Sequence, residues 1–165
     1  MHLGKTSVFI DAANILYSQK TLGWRVDYTK LKSYLEKQTH LHVVYYYTGK
    51  VGLLEKQIGF IKKLEKLGFY VVTKEVKFIK TERGKTVPKG NLDVELALDA
   101  FRTCSEYKTI LLFSGDSDFA YLIDLLKKQG KRVVVFSTRG HISKDLLDRA
   151  KYIDLRKLKQ FIEYK

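Results

Sequence analysis

The stretch Thr109-Ile110-Leu111-Leu112-Phe113-Ser114-Gly115-Asp116-Ser117-Asp118-Phe119 decides how the rest of the chain is read. Its first five residues are a short apolar run, the pattern of a buried strand. The run that follows, Ala120-Tyr121-Leu122-Ile123-Asp124-Leu125-Leu126, repeats its apolar residues at helical spacing. Two carboxylates, Asp116 and Asp118, therefore fall where a strand ends and a helix begins. In open α/β sheets ligands bind at that edge. A second strand-like run, Ser7-Val8-Phe9-Ile10, also ends in a carboxylate, Asp11.

Outward from these two runs, strands alternate with helices. Residues 5–10 read as a first strand, 12–20 as a short helix closed by Gly23, and 41–47 as a second strand. Asp27 is an N-cap for a helix reaching Gln38. Residues 53–67 read as an amphipathic helix with Leu54, Ile58, Ile61, Leu64 and Leu67 inward, and Gly68 stops it before a strand at 69–73. Asn91 reads as the N-cap of a helix through about Thr103, and residues 118–129 as the helix after the central strand. Residues 132–136 form another apolar strand. Ser143 caps a helix over 144–150, residues 152–155 form an edge strand, and 158–164 a last helix. Continuous apolar strands between helices predict a mainly parallel sheet covered on both faces, a doubly wound α/β domain. At 165 residues, one domain spanning 1–165 is expected.

The segment 74–90 breaks the pattern. Lys74, Lys77, Lys80, Arg83, Lys85 and Lys89 face only Glu75 and Glu82. Val76, Phe78 and Ile79 suggest an extended hairpin arm turning at Glu82-Arg83-Gly84-Lys85 and closed by Pro88. The whole chain carries 31 Lys plus Arg against 18 acids, a net charge of +13. That balance favours a polyanionic partner such as nucleic acid. The single cysteine, Cys104, excludes an intramolecular disulfide and a cysteine-rich zinc site, and reads as a small buried residue. No signal-peptide pattern opens the chain, and no apolar run approaches the roughly 18 residues of a membrane span, so a soluble cytoplasmic protein is expected.

Asp11, Asp93, Asp116 and Asp118 all fall at strand ends or first helical turns. Each alone is readable as helix capping. If the strands before Asp11 and Asp116 are neighbours, the acids crowd one crevice and repel one another unless a cation sits between them. Lys89 or Arg139 could supply that charge. A hard divalent ion held by carboxylate oxygens, Mg²⁺ or Mn²⁺, is the stronger expectation. Such an ion in a basic protein suits phosphodiester chemistry. No Gly-x-Gly-x-x-Gly or Gly-x-x-x-x-Gly-Lys-[Ser/Thr] loop is present. Asp11-Ala12-Ala13 lacks the second Asp of haloacid-dehalogenase-type phosphotransferases, and Asp11 stands where Toprim enzymes have Glu. His2, His40, His42 and His141 have no metal-ligand spacing.

Three blocks together resemble the NYN domain family, the LabA-like relatives of PIN-domain nucleases. They are Val8-Phe9-Ile10-Asp11-Ala12-Ala13-Asn14, Lys89-Gly90-Asn91-Leu92-Asp93-Val94 with Asp99, and Ser114 to Phe119. The resemblance covers about residues 5–155 and implies a PIN-like three-layer α/β/α sandwich. It implies a metal-dependent ribonuclease whose catalytic and metal-binding acids are Asp11, Asp93, Asp116 and Asp118. It further matches Asn14, Lys89 and Ser114 to substrate or supporting contacts, and Asp99 either to the site or to an ion pair with Arg102. Two departures lie away from the acids: Tyr121, where many relatives have a small residue or Pro, and Arg149-Ala150-Lys151-Tyr152, which lacks an acid before the last strand. The expected activity is endonucleolytic hydrolysis of RNA with Mg²⁺ or Mn²⁺. The rivals are an RNA- or partner-binding module without catalysis and a structure-specific DNA nuclease. The oligomeric state is left open, a homodimer being one option.

Overall fold

Val8, Phe9 and Ile10 are each fully buried, although successive side chains on a strand point to opposite faces. Both faces of this strand must therefore be covered. In the computed structural model, which describes residues 3–165 and so leaves His2 outside, they are. The strands are Lys5–Asp11 (β1), His40–Lys50 (β2), Phe69–Glu75 (β3), Lys77–Lys80 (β4), Thr86–Lys89 (β5), Thr109–Phe113 (β6), Arg132–Ser137 (β7) and Lys151–Asp154 (β8). The helices are Ala12–Leu22 (α1), Tyr28–Gln38 (α2), Glu55–Lys66 (α3), Asp93–Arg102 (α4), Ala120–Lys128 (α5), Lys144–Leu147 (α6) and Lys159–Ile162 (α7).

Six strands form one sheet in the order β3-β2-β1-β6-β7-β8, with every neighbouring pair parallel. Val8 and Ile10 pack on one side with Ile15, Leu31, Leu64 and Ile162, which come from α1, α2, α3 and α7. Phe9 packs on the other with Leu96, Ile123 and Leu146, from α4, α5 and α6. This is the α/β/α sandwich that the apolar strands call for. The chain leaves β1 toward one edge through β2 and β3, then returns to place β6 against the other side of β1. The β1–β6 boundary is thus the switch point of the sheet, where a crevice opens at the strands' carboxyl ends.

Between β3 and α4 the basic segment folds as predicted, into the antiparallel hairpin β4–β5. Its turn is closed by Thr81 and Lys85, with Gly84 at φ 73°.

Several boundaries differ from the sequence reading. Helix α5 starts at Ala120, because the Asp116 side chain caps a separate 3-10 turn at Ser117–Phe119. Leu92, not Asn91, holds the N-cap of α4 and makes no side-chain capping bond. Leu54 is 55% exposed and stands just before α3, in which only Leu64 is fully buried, since α3 lies over the outer strands of the sheet. Helix α6 ends at Leu147, and α7 covers only Lys159–Ile162. Cys104 is half-buried in a 3-10 turn against the second core cluster. Among the described residues, no helix is long and apolar enough to cross a membrane.

Candidate metal centre

Asp11 ends β1 with an extended backbone and caps α1, its carboxylate accepting from the Asn14 backbone N–H at 3.3 Å. The side chain is thereby aimed into the crevice rather than along the strand. Across the boundary, Ser114 follows β6 and is fully buried. Its hydroxyl donates to Asp11 Oδ2 at 2.9 Å and accepts from the Asp116 N–H at 3.3 Å. One serine thus ties the end of β1 to the loop carrying the second acid. Asp116 in turn accepts from the Asp118 N–H at 3.0 Å, which sets the spacing of that pair. Asp93 opens α4, and Asn91 donates its side-chain amide to Asp93 Oδ2 at 2.7 Å.

The outcome is a close trio. One carboxylate oxygen from each of Asp93, Asp116 and Asp118 lies within 4.8 Å of the others. The sequence expectation names four acids, Asp11, Asp93, Asp116 and Asp118. The geometry makes Asp93 the third member and sets Asp11 beside the trio, occupied by Ser114 and the α1 N-terminus. Asp11, Asp93 and Asp116 all line one cavity of about 180 Å³.

Asp93 lies in the field of the neighbouring acids. Burial, then the negative charges of Asp11, Asp116 and Asp118, push Asp93 up to about 6. Burial also raises Asp11, against the lowering effect of Ser114 and of the Asn14 and Ala13 backbone. Three hard oxygen donors at this separation fit a divalent cation.

The remaining candidates surround this core. Asn14 lines the cavity, and its Oδ1 accepts from Ser137 Oγ at 3.4 Å. Lys89 ends the hairpin, exposed and paired across it with Lys77, one residue before the cavity-lining Gly90. Asp99 accepts from the Tyr47 hydroxyl at 3.0 Å and pairs with Arg102 at 3.1 Å, so it serves the packing of α4. Tyr121 projects from α5, 71% exposed.

Sequence reasoning missed three features here. Tyr17 lines the cavity from α1. Gly49 and Gly90 both pack on Val76: a Cβ on either would come within 2.8 Å of its Cγ2, so the hairpin base must close on bare backbone. Gly115 is pressed against the loop after β7, where a Cβ would lie 1.7 Å from the His141 carbonyl oxygen. Only the third had a signal in the sequence, a glycine between a strand and two acids.

The NYN domain family model matches residues 5–156, from the first residue of β1 to the turn after β8. The chain belongs to the NYN domain family. The family is PIN-like, and the acid trio lies by the switch point of the parallel sheet. The NYN chain is 35% identical over 164 residues to the low amplitude and bright protein LabA of Synechococcus elongatus, an alignment covering 96% of this chain and 88% of that protein. Its backbone also superposes on a crystal structure of a protein of unknown function from Vibrio parahaemolyticus, with a TM-score of 0.78 and 25% identity over 98% of this chain and 97% of that one.

Proposed function

We propose that this NYN domain is a metal-dependent endoribonuclease, with Mg²⁺ or Mn²⁺ held by Asp93, Asp116 and Asp118. The observation that carries the reading is the trio of carboxylates within 4.8 Å at the switch point of a chain with net charge +13. When bound, the ion would supply a nucleophile at neutral pH by lowering the pKa of water, and would offset the charge that develops on phosphorus.

The chain's own residues do the rest. Asn91 holds one oxygen of Asp93, and Asp116 is fixed by its bonds to Ser114 and Asp118, so the trio needs little rearrangement on loading. Asp11 stands beside the trio as a further carboxylate, raised by burial and steadied by Ser114, suited to orient water or a substrate hydroxyl. Asn14 presents its amide to the same cavity for a phosphate oxygen or sugar hydroxyl. The hairpin lysines Lys77, Lys80, Lys85 and Lys89, with Arg83, draw in the phosphate backbone.

The test is incubation of end-labelled RNA, single-stranded DNA and flapped DNA with Mn²⁺ or with chelator. Internal cuts in RNA that require the metal support the reading. Cleavage confined to flapped DNA supports the structure-specific DNA nuclease instead, and RNA retention without cleavage under any metal supports a binding module.

A further inference from the structure

We propose that Tyr17 is a stacking platform for one unpaired base beside the acid trio, so that the substrate is a single-stranded stretch of RNA. The inference rests on the nuclease reading and narrows its substrate class.

Helix α1 begins at the capping Asp11, and the spacing of Ala13, Asn14 and Tyr17 brings these three to one side of it. All three line the cavity that Asp11, Asp93 and Asp116 also line. Two aromatic rings border that cavity, and they differ in kind. Tyr47 is 2% exposed, and its hydroxyl is spent on Asp99. Tyr17 is 60% exposed, a ring offered to the cavity rather than to the core. Lys20, one turn on, places its ammonium 5.2 Å from the centre of the Tyr17 ring. The ammonium lies over one face of this exposed ring, an arrangement that suits a nucleotide whose base takes the other face and whose phosphate takes the charge.

The hairpin base also borders the cavity. Gly49 and Gly90 line the same cavity with bare backbone, and Gly90 directly follows Lys89 of the Lys77–Lys89 pair in the hairpin. A strand crossing the cavity would meet lysines on the hairpin side, the acids in the middle and Tyr17 with Lys20 on the α1 side. A cavity of about 180 Å³ has room for a base but not for a double helix, and a paired base would first have to be flipped out of its stack, at a cost an unpaired base does not carry. Stacking accepts any base, so Tyr17 selects for unpaired nucleotides and not for sequence.

The experiment uses the full chain carrying Asp116→Asn, without added metal, and a short oligouridylate with a central 2-aminopurine. Stacking quenches that fluorophore. Quenching on binding is expected for Asp116→Asn alone and with Tyr17→Phe. Adding Tyr17→Leu should abolish the quench and weaken binding about tenfold. A fully paired RNA of the same length should not displace the probe. Quenching and affinity that survive Tyr17→Leu overturn the stacking site while leaving the nuclease reading intact. Failure of the folded Asp116→Asn protein to bind any RNA removes the nuclease reading and the subsite with it. Circular dichroism of each variant establishes that it is folded.

Discussion

The Ser114 hydroxyl donates a 2.9 Å hydrogen bond to Asp11 across the boundary between two strands whose facing residues are about a hundred positions apart in sequence. The same oxygen accepts from the Asp116 N–H. A buried hydroxyl with both bonds filled fixes the relative position of two acids that would otherwise repel. Ser114→Ala removes the bond that holds Asp11 down against burial, so the Asp11 carboxyl rises further. The ascending limb of the pH–rate profile should move to higher pH, with kcat at neutral pH falling about tenfold. Wild-type and variant profiles measured side by side with Mn²⁺ check this.

Asp93 makes the metal-free protein sensitive to pH in an unusual direction. Its folded value, about 6, lies above the ordinary 3.8. Between these values the folded state keeps a proton that the unfolded state has lost, so stability from this group falls as pH rises and is lowest above 6. Asp93→Asn should therefore stabilise the metal-free protein at pH 8, by on the order of 0.5 kcal/mol after solvent screening, and not at pH 4. Millimolar Mn²⁺ should reverse the order, raising the melting temperature of the wild type and leaving the variant unchanged. Thermal melts at the two pH values, with and without the ion, read both effects.

The strands were legible because buried parallel strands are written as unbroken apolar runs. Thr109 to Phe113 is such a run, and all five residues are buried. The acids were legible because each ends a strand or opens a helical turn. Less legible was which acids meet. Asp93 joins Asp116 and Asp118 only because α4 packs across β1 and against the turn that holds them, a relation that no local pattern records. Asn91 read as a cap because Asn is a good one, but its amide goes to Asp93. Tyr17 gave no signal at all, since helical spacing does not separate a ring that faces a cavity from one that faces the core.

Gly115 is a position where any side chain collides with backbone. A Cβ there would lie 1.7 Å from the His141 oxygen and 2.7 Å from Ser137 Oγ. Gly115→Ala should lower stability by more than about 2 kcal/mol and abolish cleavage. Gly59, within α3, is the control: a Cβ there meets nothing within 4 Å. Gly59→Ala should raise stability by about 0.5–1 kcal/mol through helix propensity and leave cleavage unchanged. Urea unfolding of both variants tests the pair.

In the proposed function the hairpin lysines serve the phosphate backbone and not the acids. Replacing Lys77 and Lys89 by Gln should weaken RNA binding evenly across sequences. The slope of log affinity against log salt should become shallower by about 1.4, as for two lost contacts to a single strand. Filter binding over a salt series measures it, and melting temperature should not change, since both side chains are exposed.

The acid trio is tested most directly by the rate of RNA cleavage in Mn²⁺ at neutral pH, wild type against Asp116→Asn. The substitution keeps the shape of the side chain and removes one of three charges within 4.8 Å. The account predicts a loss on the order of a hundredfold or more, with the fold intact. Cleavage by Asp116→Asn at the wild-type rate would contradict it.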